Sequence, residues 1–295
     1  MHLSVCICTY RRPEWLRRLL KDVSEQDTHG QFTFEIVVAD NDPSETGSPV
    51  VAELKPSLKV PIIYAAEPRR SISHVRNMTL AHATGDGIVF IDDDEFPSKD
   101  WLYNLFTTLK KFDVAGVLGP VRPHFEVKPP QWIVKGRFCE RPEHETGYLM
   151  PWSECRTGNV LFRREIIKGV SPVFLPEFGT AGSDVNFFWR MIQNGCTFVW
   201  CNEAAVYEVV PPARWKRSFM LKRALLRGGN FLQHPEGRIQ SIATSLLAVP
   251  IYTLMLPVLL VAGHHHFMRY LVKWCDHSAR LLGIFGVKLI KQRPM

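Results

Sequence analysis

The sequence predicts an α/β protein with a mostly parallel, Rossmann-like sheet flanked by helices, followed by a C-terminal helical segment that associates with a membrane. Three observations support this. Short apolar runs alternate with amphipathic stretches in the first third of the chain, polar or acidic residues follow these runs, and residues 241–263 carry no charge.

The elements of the sheet follow one another along the chain. Residues 3–8 predict a strand, and Pro13 after the next turn suits the first turn of a helix. Further strands are predicted at residues 34–39, 60–64 and 88–91, with a helix at residues 73–83 before the last of them. Strands that alternate with helices pair in parallel, so their carboxyl ends should meet at one edge of the sheet.

The strand at residues 88–91 ends in the run Asp92, Asp93, Asp94 and Glu95. Ligands bind at the carboxyl ends of strands in open α/β sheets. If the run is extended, Asp92 and Asp94 point to one side and Asp93 to the other. Neighbouring carboxylates repel one another and suit a hard divalent cation, so we expect a metal or a metal-bound diphosphate here. A solvated acidic loop is the alternative.

Composition narrows the class of protein. With 295 residues, 46% of them hydrophobic and 22% charged, the chain should be folded rather than disordered. Its formal charge of +7 is concentrated between Arg214 and Arg238, just before the apolar segment, which favours an anionic membrane surface and no nucleic-acid partner. Seven cysteines without a zinc-binding spacing and no visible signal peptide predict a cytosolic domain with reduced thiols.

Six motifs, taken together and in order, carry a resemblance to a known family. They are VCICTYRRP, VVADND, SISHVRN, GDGIVFIDDDE, TGNVLFRRE and GSDVNFFWRM, within residues 3–229. The set resembles glycosyltransferase family 2 of the GT-A fold, and CTYRRP, DDDE and VLGPVRPHF resemble the ExoM-like exopolysaccharide glycosyltransferases within it. The resemblance implies an inverting transferase that uses a nucleotide-diphosphate sugar, expected to be a UDP-sugar, and Mn²⁺ or Mg²⁺.

The same resemblance assigns roles on the donor side. The residues expected to bind the nucleotide sugar are Thr9, Tyr10, Arg11, Asp40, Arg76, Asp92 and Asp93. Asp94, together with Asp92, is expected to bind the metal. Asp40 would accept a hydrogen bond from the nucleobase, although a turn-forming role is an equal alternative. For Arg76 the alternative is an ordinary surface position.

The acceptor side is predicted from the second half of the chain. Thr157, Gly158 and Asn159 resemble the family's loop beneath the sugar, and a plain turn is the alternative. A stretch rich in proline and aromatic residues, 125–152, includes Trp132, which would stack on acceptor sugar rings or pack locally.

Asp184 is the predicted catalytic residue. It lies at the start of a predicted helix, so it is a capping carboxylate, the general base that deprotonates the acceptor hydroxyl, or both. The family usually shows Glu-Asp here, whereas this chain has Ser183 before Asp184. Relatives often place a histidine near the position of Glu208, so that residue is a further candidate for a contact with the metal or phosphate.

The chain is predicted to have two parts. Residues 1–238 form the catalytic domain, with a nucleotide-sugar half at about 1–120 and an acceptor half at 121–238. Residues 239–295 form a hydrophobic and amphipathic region that associates with the membrane or, as the alternative, a buried helical subdomain. Basic residues before the apolar segment predict the cytoplasmic face of the plasma or inner membrane, and a saccharide or lipid-linked (polyprenyl) saccharide acceptor would suit that geometry.

Two other classes of protein remain open from sequence. Asp92 and Asp94 have the spacing of a haloacid-dehalogenase-like phosphotransferase, although that fold normally places its aspartate strand first. A non-catalytic subunit that binds sugar nucleotides is the second, and the presence of both Asp94 and Asp184 argues against it.

Overall fold

The computed structural model describes residues 1–229, 238–287 and 289–290. They divide into two compact units. The sheet unit comprises Met1–His124 and Arg141–Val209, and the helical unit comprises Phe125–Glu140 and the described part of Val210–Met295. The predicted parts are continuous in sequence and meet at residue 238, whereas each observed unit combines two segments. The boundary at residue 238 stays a prediction. Residues 230–237, 288 and 291–295, which belong to the two predicted parts, lie outside the described residues.

The elements are numbered in chain order. The strands are β1 (His2–Thr9), β2 (Thr33–Asp40), β3 (Ile62–Ala66), β4 (Gly87–Asp92), β5 (Glu95–Pro97), β6 (Gly116–Leu118), β7 (Val121–His124), β8 (Asn159–Arg163), β9 (Phe198–Trp200) and β10 (Val206–Val209). The helices are α1 (Pro13–Ser24), α2 (Ser48–Leu54), α3 (Ile72–His82), α4 (Trp101–Phe112), α5 (Gln131–Lys135), α6 (Ser183–Gln193), α7 (Arg217–Gly229), α8 (Arg238–Ala262) and α9 (His264–Ile284).

The main sheet has seven strands in the order β3-β2-β1-β4-β8-β6-β9. Strands β1 to β4 pair in parallel, as predicted, whereas β8 runs antiparallel to both β4 and β6. The third strand begins two residues later than predicted, at Ile62, directly after Pro61. A second, small sheet has the order β5-β10-β7.

Both faces of the main sheet are buried, which explains the nearly continuous apolar runs. In β1, Val5 and Ile7 belong to one core cluster and Cys6 to the other, because successive side chains point to opposite faces. Helix α1 covers the first face with Leu16 and Leu20, both fully buried. Burial raises the pKa of the Cys6 thiol to about 12, which keeps it protonated and inert.

The strand register places three strand ends beside one another. Thr9 at the end of β1 pairs with Asp40 at the end of β2, and Cys8 pairs with Asp92 at the end of β4. The predicted convergence of these strand ends on one edge is therefore confirmed.

The helical unit contains the predicted apolar segment. Helix α8 is continuous through Pro250 and Pro257, and its length and apolar composition are sufficient for it to cross a membrane. Most of its residues are exposed within the structure, which argues against a buried helical subdomain.

A buried carboxylate joins three segments of the sheet unit and provides a test of the fold. Glu35 on β2 accepts hydrogen bonds from Ser4 Oγ (2.6 Å), Thr84 N (2.7 Å) and Thr84 Oγ1 (2.8 Å). We expect Glu35→Ala to lower the free energy of unfolding in urea by about 2 kcal/mol, because it leaves these donors unpaired. The exposed Glu53, which pairs with Arg17, is the control, and Glu53→Ala should cost less than about 0.5 kcal/mol. Equal losses would contradict the structural role of Glu35.

Candidate active site

The turn after β1 is bonded to the acidic run after β4. Thr9 Oγ1 donates to Asp93 Oδ2 at 2.9 Å, and the backbone N–H of Tyr10 donates to the same oxygen at 3.4 Å. Arg11 adopts a left-handed backbone conformation (φ 54°) and donates through Nε to Asp42 Oδ1 at 3.1 Å. A non-glycine residue in this conformation is uncommon, and such residues are often found at functional sites.

Arg12 is the cation at the centre of this edge. Its Nη1 lies 2.6 Å from Asp93 Oδ1 and 3.2 Å from Asp94 Oδ2. The sequence prediction stopped at Arg11 and missed this role, although Arg12 is the next residue in the same motif. Burial, together with the charge of Asp94, raises the pKa of Asp93 to about 6, even though Arg12 opposes the shift.

The acidic run is not extended, and the predicted alternation of its side chains is wrong. Strand β4 ends at Asp92, a turn follows, and β5 begins at Glu95. Glu95 Oε2 accepts a hydrogen bond from the backbone N–H of Asp92 at 3.1 Å, which closes the turn. Asp93 and Asp94 therefore meet at one guanidinium instead of pointing to opposite sides.

Glu95 is a buried carboxyl group within a group of acids. Its Oε1 has no hydrogen-bond partner among the described residues. Burial first, and then the charges of Asp92 and Glu208, raise the pKa of Glu95 well above its usual range. Arg141 Nη2 donates to Glu208 Oε2 at 2.6 Å, and its charge opposes the shift in the pKa of Glu95. The structure thus shows Glu208 in an ion pair with Arg141, and its contact with a metal or phosphate stays a prediction.

A divalent cation fits this group of residues. In the described part of the chain, no cluster of three or more His, Cys, Asp or Glu side chains could hold a metal by itself. A magnesium-type ion, however, commonly takes one or two carboxylates from the protein and completes its shell with water and substrate phosphates. Asp92 and Asp94 provide such carboxylates on one turn, and the unpartnered Oε1 of Glu95 adds a further oxygen ligand nearby.

Asp40 has a structural role in this arrangement. Its side chain is fully buried, Oδ1 accepts from Asp42 N at 2.9 Å, and Oδ2 accepts from Gly47 N at 2.7 Å and from Tyr64 Oη at 3.2 Å. These bonds are those of the turn-forming alternative. The nucleobase contact stays a prediction. Tyr10 is the aromatic surface at this end of the site, with the guanidinium carbons of Arg11 and Arg70 at 5.2 and 5.3 Å from its ring.

Arg76 connects the donor half of the site with the start of α6. Its buried Nη1 donates to Ser183 Oγ at 2.6 Å, so the surface-residue alternative is wrong. Asp184 is the next residue, in the first turn of α6, and its Oδ1 accepts from the backbone N–H of Val185 at 2.9 Å. The Asp184 carboxylate is thus placed in the first turn of α6, next to the residue that Arg76 holds.

Three of the predicted acceptor-side residues, Thr157, Gly158 and Asn159, lie at the start of β8 in the sheet unit. Thr157 is buried, with an Oγ1 that has no partner among the described residues. A Cβ on Gly158 would lie 2.9 Å from Glu95 Oε1 and 3.3 Å from Asp92 Oδ2, so this backbone closely approaches the acidic edge. Asn159 is structural, because its amide is fully bonded within the protein.

The acceptor-side role of Trp132 stays a prediction, and the structure shows the local contacts of its ring. Trp132 lies in α5 of the helical unit, and its ring centroid is 5.2 Å from that of Phe138 and 5.2 Å from that of His264. It thus belongs to a local packing cluster, which is the alternative that the sequence left open.

The chain is similar in sequence to known glycosyltransferases. The model of the family "Glycosyl transferase family 2" matches residues 4–170. The chain is 32% identical to the succinoglycan biosynthesis protein ExoM of Rhizobium meliloti, over 99% of this chain and 96% of that protein. It is also 27% identical to the chondroitin synthase of Pasteurella multocida, over 72% of this chain and 25% of that protein.

The solved structure of S. aureus TarS (residues 1–349) in complex with UDP is similar in fold. The TM-score is 0.56 at 16% identity, covering 97% of this chain and 92% of that one. The complex of TarS with UDP-GlcNAc aligns with a TM-score of 0.54.

The fold and its acidic edge define a nucleotide-sugar-dependent transferase of the GT-A class. The chain belongs to glycosyltransferase family 2, since the family model covers more than half of it and ExoM matches nearly its full length. It is therefore an enzyme, a glycosyltransferase. Neither the phosphotransferase nor the non-catalytic alternative is supported.

Removing the cation between Asp93 and Asp94 tests the geometry of the acidic edge. We expect Arg12→Ala to lower the free energy of unfolding by about 1–3 kcal/mol, because two buried carboxylates then lose the cation that bridges them. Urea unfolding measures the change. Arg17→Ala, which removes an exposed ion pair with Glu53, is the control and should cost less than about 1 kcal/mol. If Arg12→Ala lowers the free energy of unfolding no more than the control does, the bridge does not stabilise the fold.

Gly158 tests the close approach of the acceptor-side loop. An added methyl group displaces the carboxylates of Glu95 and Asp92, so we expect Gly158→Ala to reduce kcat/KM by roughly tenfold or more. The measurement is nucleoside diphosphate release from the donor. Gly229→Ala, where a Cβ meets nothing within 4 Å, should leave the rate unchanged. Full activity of Gly158→Ala would mean that this loop does not constrain the site.

Proposed function

We propose that this chain catalyses the inverting, divalent-metal-dependent transfer of a sugar from a UDP-sugar to a saccharide or polyprenyl-linked saccharide during surface or exopolysaccharide biosynthesis. The observation that carries the proposal is the acidic edge itself. Asp92, Asp93, Asp94 and Glu95 lie in one turn at the carboxyl end of β4, bonded to the turn after β1.

The donor assignment is supported by charge and by the relatives. Diphosphates are recognised by cationic side chains and by metal ions that carboxylates hold, and this edge offers Arg12 and the carboxylates of Asp92 and Asp94. In the proposed complex, Thr9, Tyr10 and Arg11 contact the nucleotide, and Asp92 and Asp94 hold Mn²⁺ or Mg²⁺. The choice of UDP is supported by the TarS complexes with UDP and UDP-GlcNAc.

Further donor contacts are assigned to Asp40, Arg76 and Asp93. Arg76 is proposed to act near the diphosphate while it holds Ser183, so that the position of α6 depends on the donor half of the site. Asp93 acts chiefly by fixing Thr9 and Arg12. Asp40 reaches the nucleobase only if Gly47 and Tyr64 release its carboxylate.

Asp184 is the proposed general base. It accepts the proton of the acceptor hydroxyl as that oxygen attacks the anomeric carbon and the bond to the nucleoside diphosphate breaks. One displacement inverts the configuration. A bound divalent cation supplies Lewis-acid stabilisation of the departing diphosphate. Thr157 and Gly158 are proposed to line the acceptor side.

The acceptor class and the location are proposals from the relatives and from α8. ExoM is a succinoglycan biosynthesis protein, and a growing polysaccharide of that type would present a sugar hydroxyl to Asp184. The exposed apolar helix α8 supports an association with the membrane, and the basic residues that precede it support the cytoplasmic face.

A donor screen tests the proposal. Purified protein is incubated with UDP-, GDP- and dTDP-sugars, with Mn²⁺ or with EDTA, and nucleoside diphosphate release is measured. We expect release from UDP-sugars only, its loss in EDTA and in Asp94→Asn, and a decrease in kcat of roughly 10²–10⁴-fold in Asp184→Asn with donor binding retained.

Asp100→Asn is the matched control, because Asp100 is half exposed and its side chain makes no capping bond to α4. It should leave the rate unchanged. Release that persists in EDTA would contradict the metal requirement, and an Asp184→Asn variant with wild-type kcat would remove Asp184 from the mechanism.

A further inference from the structure

Helix α8 exposes one apolar side. Ser245 and Ala248 are buried on the side that packs within the helical unit. Leu247, Leu254 and Val261 are 68%, 78% and 90% exposed. Because they are spaced by seven residues, they form one stripe along the helix. Exposed apolar neighbours widen this stripe: Leu246, Ile251, Met255 and Val258. An exposed apolar surface of this extent indicates an interaction site.

Helix α9 lies antiparallel to α8 along much of its length. Ser245 Oγ, near the start of α8, is 2.9 Å from His277 Nδ1. Thr253 Oγ1, in the middle of α8, accepts a hydrogen bond of 2.9 Å from Trp274 Nε1, and the two helices meet at Gly263. If α8 crossed a membrane along the bilayer normal, α9 would therefore cross it alongside.

Helix α9 carries charges where it lies beside α8. Arg269 and Lys273 are exposed. Asp276 is paired with Arg227 of α7 and with Arg280, each at 2.8 Å. If α8 crossed the hydrocarbon core along the bilayer normal, these ionised groups would enter it, and charges near the bilayer centre are strongly disfavoured.

The contacts of His264 and α7 oppose a crossing at each end of α8. The His264 ring packs at 5.2 Å against Trp132, which follows His124 of the sheet unit by eight residues. The eight residues from His124 to Trp132 span at most about 27 Å, which is less than the roughly 30 Å of a hydrocarbon core. If the end of α8 at His264 lay on the far side of the membrane, this segment would be too short to reach Trp132 there. At the other end, α7 packs closely on α9, because a Cβ on Gly228 would collide with the carbonyl oxygen of Asp276. If the start of α8 lay on the far side of the membrane, α7 would therefore have to cross as well.

We infer that α8 lies in the plane of the membrane, with the stripe of Leu247, Leu254 and Val261 inserted into one leaflet of an anionic bilayer. This inference rests on the membrane association in the proposed function and defines its mode. Exposed cations on the adjoining helices, among them Lys222 of α7 and Lys273 of α9, complement anionic headgroups. The lipid surface is thus matched in both apolarity and charge.

Three single substitutions distinguish this arrangement from a spanning helix. Leu247→Asp, Leu254→Asp and Val261→Asp are tested as full-length protein by flotation with vesicles of phosphatidylcholine and phosphatidylglycerol. We expect each to reduce partitioning onto vesicles by a similar factor, roughly tenfold or more, because the three positions lie at the same depth. Leu149→Asp, at a 63% exposed position in the sheet unit, is the control and should float like the wild type.

Each other outcome overturns the inference. A loss that is greatest for Leu254→Asp and small at both end positions would indicate a spanning helix. Unchanged flotation would mean that the stripe does not face lipid, and conversion of a lipid-free dimer to a monomer would make it an interface between copies of the chain. If the wild type does not float, membrane association itself is wrong, whereas UDP-sugar turnover tests the transferase proposal independently.

The fold of each variant is checked by the helical content of the lipid-free protein in circular dichroism and by its urea unfolding. Where an Asp variant loses helical content, Ser at the same position replaces it. The equal-loss pattern is still expected across the three Ser variants, with smaller factors.

Discussion

The bridge from Arg12 to Asp93 and Asp94 is the interaction on which the rest of the site depends. Two carboxylates on adjacent residues are brought together in a buried turn, where their repulsion is strongest. The guanidinium between them joins the turn after β1 to the turn after β4, and the hydrogen bond from Thr9 to Asp93 reinforces that connection. Asp92 is consequently left at the strand end, facing the loop at Gly158.

Two groups of ion pairs lie at this edge of the sheet. Nearest to β4, Arg12 compensates Asp93 and Asp94, and farther along β10, Arg141 compensates Glu208. Burial, together with charges from both groups such as Asp94 and Glu208, raises the pKa of Glu95. A cation and a diphosphate bound together, as proposed, would suit such a site, since each would compensate the charge of the other.

The sequence was sufficient for features that depend on neighbouring residues. The parallel strands β1 to β4, the start of α6 beside Asp184 and the convergence of strand ends were predicted because apolar runs and their polar ends are local patterns. The pairing of Arg141 with Glu208 joins residues 67 positions apart and had no local signal. No local pattern indicated that Trp132 belongs to the helical unit. The turn at Asp93 was not predicted either, because the side chain of Glu95 closes it.

The central claim is that the acidic edge binds a metal and a nucleoside diphosphate together, and calorimetric titration of UDP tests it most directly. Wild-type protein is titrated with UDP in the presence of Mn²⁺ and again in EDTA, and Asp94→Asn is titrated in Mn²⁺. We expect UDP to bind the wild type at least tenfold more tightly in Mn²⁺ than in EDTA, and Asp94→Asn to lose that gain. Equal affinity with and without Mn²⁺, or an unchanged gain in Asp94→Asn, would contradict it.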